Sequence, residues 1–168
     1  MAKVQKTNAM RLLDAAKISY EVVEYPVDEN NLEATHVAES VGEDPEVVYK
    51  TIVMRGKSVG PVIFVVSADK EVNLKLAAKA VGDKKIEPVP LRELEPLTGY
   101  IRGGCTAIGI KCHMAPVIVS DEFPDREYIY VSGGRRGLQL KMHPSDYIKA
   151  TGAKPGIIVT VREEENAS

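Results

Sequence analysis

The chain has 168 residues, 44% of them hydrophobic, with 22 Lys+Arg against 24 Asp+Glu for a formal charge of −2. A chain of this length buries roughly two-thirds of its unfolded surface, which excludes disorder and a small scaffold stapled by disulfides or metal. The near-neutral charge excludes a protein that coats nucleic acid broadly, so any RNA contact must be local.

The start, Met1-Ala2-Lys3-Val4-Gln5-Lys6, is basic but leads into no apolar stretch of the signal-peptide kind, which predicts a cytoplasmic protein. Met10, Leu13 and Ala16 recur at i, i+3, i+6, so Ala9–Ala16 reads as an amphipathic helix capped by Thr7 or Asn8. A strand over Tyr20–Tyr25 follows, then a polar turn over Pro26–Asn31. Thr35 can cap a short helix carrying Val37, Ala38 and Val41, which Gly42 ends.

Val47–Met54 and Pro61–Ser67 are rich in β-branched residues and flank a glycine-containing turn, the pattern of a hairpin. Runs such as Val62–Val66 fall far short of the ~20 residues a membrane-spanning helix needs. Asn73–Val81 presents Leu74, Ala77, Ala78 and Val81 on one face with Gly82 behind it, the clearest helix in the chain.

Ile86–Val89 reads as a short strand and Leu91–Leu97 as a helical turn. Three strands, Ala115–Ser120, Tyr128–Ser132 and Leu138–Met142, come next. Pro144 opens a helix to about Ala150, Gly152 closes it, and Ile157–Val161 is the expected last strand before an acidic tail from about residue 163. Helices and strands do not alternate regularly, so the expectation is one α+β domain over 1–168, a mixed sheet or barrel flanked by helices.

Three segments place glycine pairs and polar groups where a packed core does not ask for them. They are Val48-Tyr49-Lys50-Thr51, Thr98-Gly99-Tyr100-Ile101-Arg102-Gly103-Gly104, and Tyr130-Val131-Ser132-Gly133-Gly134-Arg135-Arg136-Gly137. Glycine pairs let a backbone approach a ligand and present consecutive N–H groups to an anion, although such pairs also simply make turns. Lys50 is an ammonium inside an apolar strand and faces either solvent or a cleft.

Cys105, Cys112 and His113 form a C-x6-C-H spacing that fits no common zinc pattern, with His36 and His143 distant, so no metal is expected. The two cysteines are expected to be free thiols. A Cys105 nucleophile lacks a recognisable histidine partner. There is no P-loop, dinucleotide fingerprint or G-x-S-x-G elbow, and no cofactor is expected.

Taken together and in this order, the three segments and Asn73-Leu74-Lys75 through Gly82 resemble the YbaK family of aminoacyl-tRNA deacylases, relatives of the editing domain of bacterial prolyl-tRNA synthetases. The resemblance implies a mixed, β-barrel-like sheet with surrounding helices and a trans-editing hydrolase acting on a mischarged tRNA, Cys-tRNA(Pro) foremost. It implies that Lys50 holds the 3′-terminal nucleotide and that Gly103 and Gly104 line the ester with N–H groups. Tyr25, Thr51 and Ser132 would complete the pocket, with Gly133, Gly134 and Arg136 on its substrate-binding side. The partners implied are the 3′ end of aminoacylated tRNA and a prolyl-tRNA synthetase.

Two positions depart from the cysteine-clearing members. Cys105-Thr106-Ala107 lacks the proline that usually follows the glycine pair, and Gln139 stands where an aspartate is common. These departures motivate an alternative substrate, Ala-tRNA(Pro) or another small mischarged amino acid. An alternative of another class is a non-catalytic module that binds a nucleotide or RNA end. Contact with the tRNA body is expected to depend on local cations: Lys75, Lys79, Lys84, Lys85, Arg135 and Arg136.

Overall fold

The computed structural model describes residues 5–160. The expected acidic tail from about residue 163 lies outside them. In chain order the elements are α1 (Asn8–Ala15), β1 (Glu21–Glu24), α2 (Ala34–Val41), β2 (Tyr49–Gly56), β3 (Gly60–Ser67), α3 (Leu74–Val81) and β4 (Ile86–Pro88). There follow α4 (Leu91–Thr98), β5 (Val117–Ser120), a single 3-10 turn at Phe123–Asp125, β6 (Ile129–Ser132), β7 (Leu138–Met142), α5 (Pro144–Thr151) and β8 (Lys154–Gly156).

The helix ends follow local chemistry. Thr7 caps α1 by accepting from the Met10 N–H at 3.2 Å, and Asn73 caps α3 by accepting from Lys75 and Leu76. Gly42, Gly82, Gly99 and Gly152 close α2, α3, α4 and α5 in the left-handed conformation. Thr35 does not cap α2 as expected: the cap falls two residues earlier, at Glu33, with no side-chain capping bond, and Thr35 lies inside the helix.

The strands divide between two sheets. One is three-stranded, in the order β1-β7-β6; the other is five-stranded and mixed, in the order β4-β2-β3-β5-β8. β2 pairs antiparallel with β3 and β4, whereas β5 runs parallel to β3 and β8 parallel to β5. The expected barrel-like sheet is therefore not a closed barrel. One parallel bridge, Val48 to Tyr130, joins the two sheets, and the N–H of Tyr130 reaches the carbonyl of Val47 at 2.8 Å beside it.

The main core lies between the sheets. It joins Tyr49, Val53, Ile63, Val65 and Val119 to Ile129, Val131, Leu138 and Leu140, with Met10 and Leu13 of α1 and Tyr147 of α5. A second core lies on the other face of the five-stranded sheet, where Ala77 and Ala78 of α3 cover Met54, Val62, Phe64 and Val66. β2 contributes alternate residues to the two cores, as the period of two in a strand requires.

The last strand is displaced from its expected place. The ladder with β5 is made by Lys154-Pro155-Gly156, and within the expected Ile157–Val161 segment Ile158 is buried beneath α3 without joining a strand. Pro155 has no N–H to give, which suits an edge strand.

Candidate functional site

After the Val48–Tyr130 bridge, β2 and β6 diverge, and a cleft of about 480 Å³ opens between them. Two residues further along each strand, Lys50 and Ser132 both line it. The N-terminal half of α2 with Leu32 and Glu33 forms one wall, Ala68, Asp69 and Glu71 another, and Arg102, Gly103 and Cys105 close the cleft from the loop after α4.

Lys50 enters from β2 with only 18% of its side chain exposed. Its Nζ donates to the Ala68 carbonyl at 3.3 Å and to Glu71 Oε1 at 3.0 Å, while Glu71 itself is 89% exposed. A cation with a fixed stem and one solvent-facing, exchangeable carboxylate partner is suited to take an incoming anion. The strand beneath it is anchored by Tyr49, whose hydroxyl donates to Glu122 at 2.7 Å and accepts from Arg126 at 3.2 Å. Burial raises the Tyr49 phenol to about 12, so it stays protonated as a clamp.

Of the residues expected at a site, Lys50, Thr51, Gly103 and Ser132 come together on the cleft. The others stand behind or beside it. The Gly104 N–H donates to the Ile101 carbonyl at 2.9 Å, whereas no backbone or side-chain acceptor takes the Gly103 N–H among the described residues. A Cβ on Gly104 would lie 2.8 Å from the Arg135 Cα, so this glycine is what lets the two glycine-rich loops touch.

Gly133 closes the β6–β7 turn by donating to the Leu138 carbonyl at 2.9 Å. The N–H of Gly134 donates to Ser132 Oγ at 3.2 Å, which fixes that hydroxyl at the cleft. Arg136 donates through Nε to the Arg102 carbonyl at 2.7 Å and packs beside Gly103. Tyr25 is half-buried next to Gly137, to whose carbonyl its N–H donates at 3.0 Å.

Two features of the cleft go beyond the sequence: the unpaired state of Gln139, which stood out there only as a departure, and the place of Glu71. Gln139, opposite Ser132 in the β6–β7 register, is 5% exposed and lines the cleft with a buried Oε1 that has no hydrogen-bond partner among the described residues. Such an acceptor is costly unless a ligand donor meets it. Glu71 gave no signal at all, since its role depends on a neighbour 21 residues away in sequence.

The cleft also defines what it does not supply. Burial pushes the Cys105 thiol up to about 12, so at neutral pH it holds its proton and is a poor nucleophile. No histidine lines the cleft, and among the described residues no group of three or more His, Cys, Asp or Glu comes together. What remains is two cations, Lys50 and Arg102, hydroxyls of Thr51 and Ser132, the Gly103 amide and the Gln139 acceptor. Such a set binds and polarises an already activated acyl group rather than attacking it.

Residues 28–150 match the model of the aminoacyl-tRNA editing domain. The chain is 40% identical over 156 residues to EbsC of Enterococcus faecalis, a protein named provisionally as a Cys-tRNA(Pro)/Cys-tRNA(Cys) deacylase; the match covers 93% of this chain and 94% of that one. Among solved structures it superposes on a provisional trans-editing enzyme for prolyl-tRNA synthetase with a TM-score of 0.78, 22% identity, and coverage of 94% and 100%. A hypothetical protein gives a TM-score of 0.82 at 19% identity, with 92% and 100% covered. At these identities the two structures speak for the fold alone.

Proposed function

The chain belongs to the aminoacyl-tRNA editing domain family, and from that premise we propose that it removes a wrong amino acid from tRNA by hydrolysing the aminoacyl ester, with Cys-tRNA(Pro) as the foremost substrate. The observation that carries this reading is the cleft itself: positioning and polarising groups converge on it, and its one thiol is held protonated.

In the proposed complex a phosphate of the terminal nucleotide displaces Glu71 from Lys50. The ester carbonyl then lies toward the Gly103 N–H, which stabilises the developing oxyanion. With no protein nucleophile at hand, attack falls to the cysteine substrate's own thiol or to a water. In the first case a C–S bond forms as the bond from carbonyl carbon to ribose oxygen breaks, the ribose oxygen takes the thiol proton, and water later opens the thiolactone. Either way the net consumption is one water, and the products are the free amino acid and tRNA with its hydroxyl restored.

The name of the Enterococcus relative joins one amino acid to two tRNAs, which supports recognition of the cysteinyl group above that of the carrier. The prolyl ester must be kept out by shape, because a methylene or so of apolar discrimination is worth only ~1–3 kcal/mol. A prolyl-tRNA synthetase, which charges the carrier in the cytoplasm, is the proposed partner.

Single-turnover deacylation of Cys-tRNA(Pro), Ala-tRNA(Pro) and Pro-tRNA(Pro) tests the proposal. The expected outcome is rapid loss of the cysteinyl ester with the prolyl ester spared. In the same assay Lys50→Ala is expected to lower kcat/KM by about 10- to 100-fold, the range that one lost charge-assisted bond supports. Wild-type protein that spares every mischarged species overturns the function, and an undiminished Lys50→Ala overturns the role of the lysine.

A further inference from the structure

Lys50 shares its face of β2 with Ile52 and Met54, the face that α3 covers. α3 begins just after Glu71, the partner of Lys50, and ends at Val81, two residues before Asp83, whose carboxylate lies against Gly56 at the far end of β2. The helix therefore runs alongside the strand, away from the cleft. Lys50 to Gly56 is six residues of strand, about 20 Å.

Along α3 and on to that far end runs a shallow groove lined by Lys75, Lys79, Lys84 and Lys85. Lys75 and Lys79 are one turn apart on α3. Lys57 of the β2–β3 turn joins them, its N–H bonded to the Lys85 carbonyl at 3.0 Å. All five lysines are exposed. The carboxylates among them are committed: Asp83 accepts from the N–H groups of Ser58, Val59 and Lys84, and Glu87 pairs with Lys85 at 2.8 Å. Arg135 and Arg136 belong elsewhere, held at the carbonyls of Gln5 and Arg102.

The opposite wall of the cleft has the reverse character. Glu21–Glu46, which includes α2, holds nine carboxylates and no lysine or arginine. A polyanion whose end enters the cleft is repelled on that side and attracted on the other. We propose that α3 and the α3–β4 connection form a track for the phosphates of the acceptor stem, so that the tRNA body leaves the cleft over α3 and never over α2. This rests on the proposed function, because it takes the nucleic acid in the cleft to be the 3′ end of a tRNA, and it adds the direction and the surface by which the rest of the molecule is held.

The test is titration of uncharged tRNA, and separately of the trinucleotide CCA, against wild type and the double reversal Lys75→Glu/Lys84→Glu over a range of salt. The expected result is at least a tenfold weaker affinity for tRNA at about 50 mM salt, with the log–log salt slope shallower by about two, since each phosphate contact contributes ~0.7–0.9. Trinucleotide binding, too short to reach the groove, stays at the wild-type value. The graded variant Lys75→Gln/Lys84→Gln falls between the two. A matched reversal at Lys149 and Lys154, at the end of α5 and on the far edge strand β8, leaves tRNA affinity within about twofold. Unchanged tRNA binding in the groove variant, an equal loss in the α5 and β8 variant, or an equal loss on the trinucleotide each overturns the track. Failure of wild-type deacylation instead removes the proposed function, while the tRNA titration still decides the surface.

Discussion

Two buried side-chain atoms lack partners among the described residues, Tyr147 Oη and Gln139 Oε1, and they occupy different kinds of place. Tyr147 is fully buried against Phe123, 5.2 Å between ring centroids, and does not line the cleft. An orphaned buried hydroxyl costs about 1–3 kcal/mol. Tyr147→Phe is therefore expected to raise unfolding free energy by about 1 kcal/mol with deacylation unchanged, read from urea midpoints and the single-turnover rate. Gln139→Leu is expected to stabilise by a similar amount and yet slow deacylation, because its orphan faces the cleft proposed to hold the substrate. A Gln139→Leu variant with full activity would show that the amide meets nothing on the ligand. The third residue of interest is Cys105. With its thiol raised to about 12 it carries on the order of 10³-fold less thiolate at pH 8 than an ordinary cysteine. Alkylation by iodoacetamide in the native protein should be slower by a comparable factor and recover on unfolding; rapid native alkylation would contradict the partly buried, protonated state and reopen covalent catalysis.

At the level of elements, the cleft is closed by two loops that touch where a side chain cannot fit. Gly104 faces the backbone of Arg135 and Arg136, with a Cβ position 2.8 Å from Arg135 Cα, and backbone yields less readily than a side chain. Gly104→Ala should cost about 1–3 kcal/mol and depress deacylation, since Gly103 lies on one of the two loops that it lets touch and Ser132 ends the strand that leads into the other. Equal stability and rate in Gly104→Ala would mean that the loops relax freely. α3 shows what a sequence makes plain, with Asn73 and Gly82 at its ends and Ala77 and Ala78 on its inner face, all local signals. Lys50 was also visible, as a cation out of place in an apolar strand. The pairing of β1 with β7 and the Val48–Tyr130 bridge were not, because partners roughly 80 to over 100 residues apart leave no local pattern. β8 misled for a related reason: Ile158 carries the apolarity of a strand but spends it beneath α3, and the ladder falls to Lys154-Pro155-Gly156. Within the site, the open cleft follows from the divergence of β2 and β6, so the lining contributed by Leu32, Glu71 and the Gln139 orphan could not be read from motifs.

Across the whole molecule, the response to pH follows from which groups are held protonated. Burial raises the Cys105 thiol from 9.0 to about 12, and raises the Tyr49 and Tyr100 phenols from 10.0 to about 12. A group whose folded value lies above its unfolded one gives stability that is complete below the unfolded value and is lost as pH climbs toward the folded one. Stability should accordingly hold level from neutrality to about pH 9 and then fall steadily up to about pH 12. Cys105 alone accounts for on the order of 4 kcal/mol of that fall, against a total of about 5–15 kcal/mol for a domain of ordinary stability. The measurement is the urea midpoint at a series of pH values for wild type and Cys105→Ala. The substitution is expected to lower stability at pH 7 through the small cavity it leaves, yet to make the decline above pH 9 shallower, and it is this difference in slope that isolates the thiol. Parallel curves for the two proteins would mean that the thiol ionises as easily in the folded chain as in the unfolded one, and the protonated Cys105 assigned to the cleft would have to be abandoned.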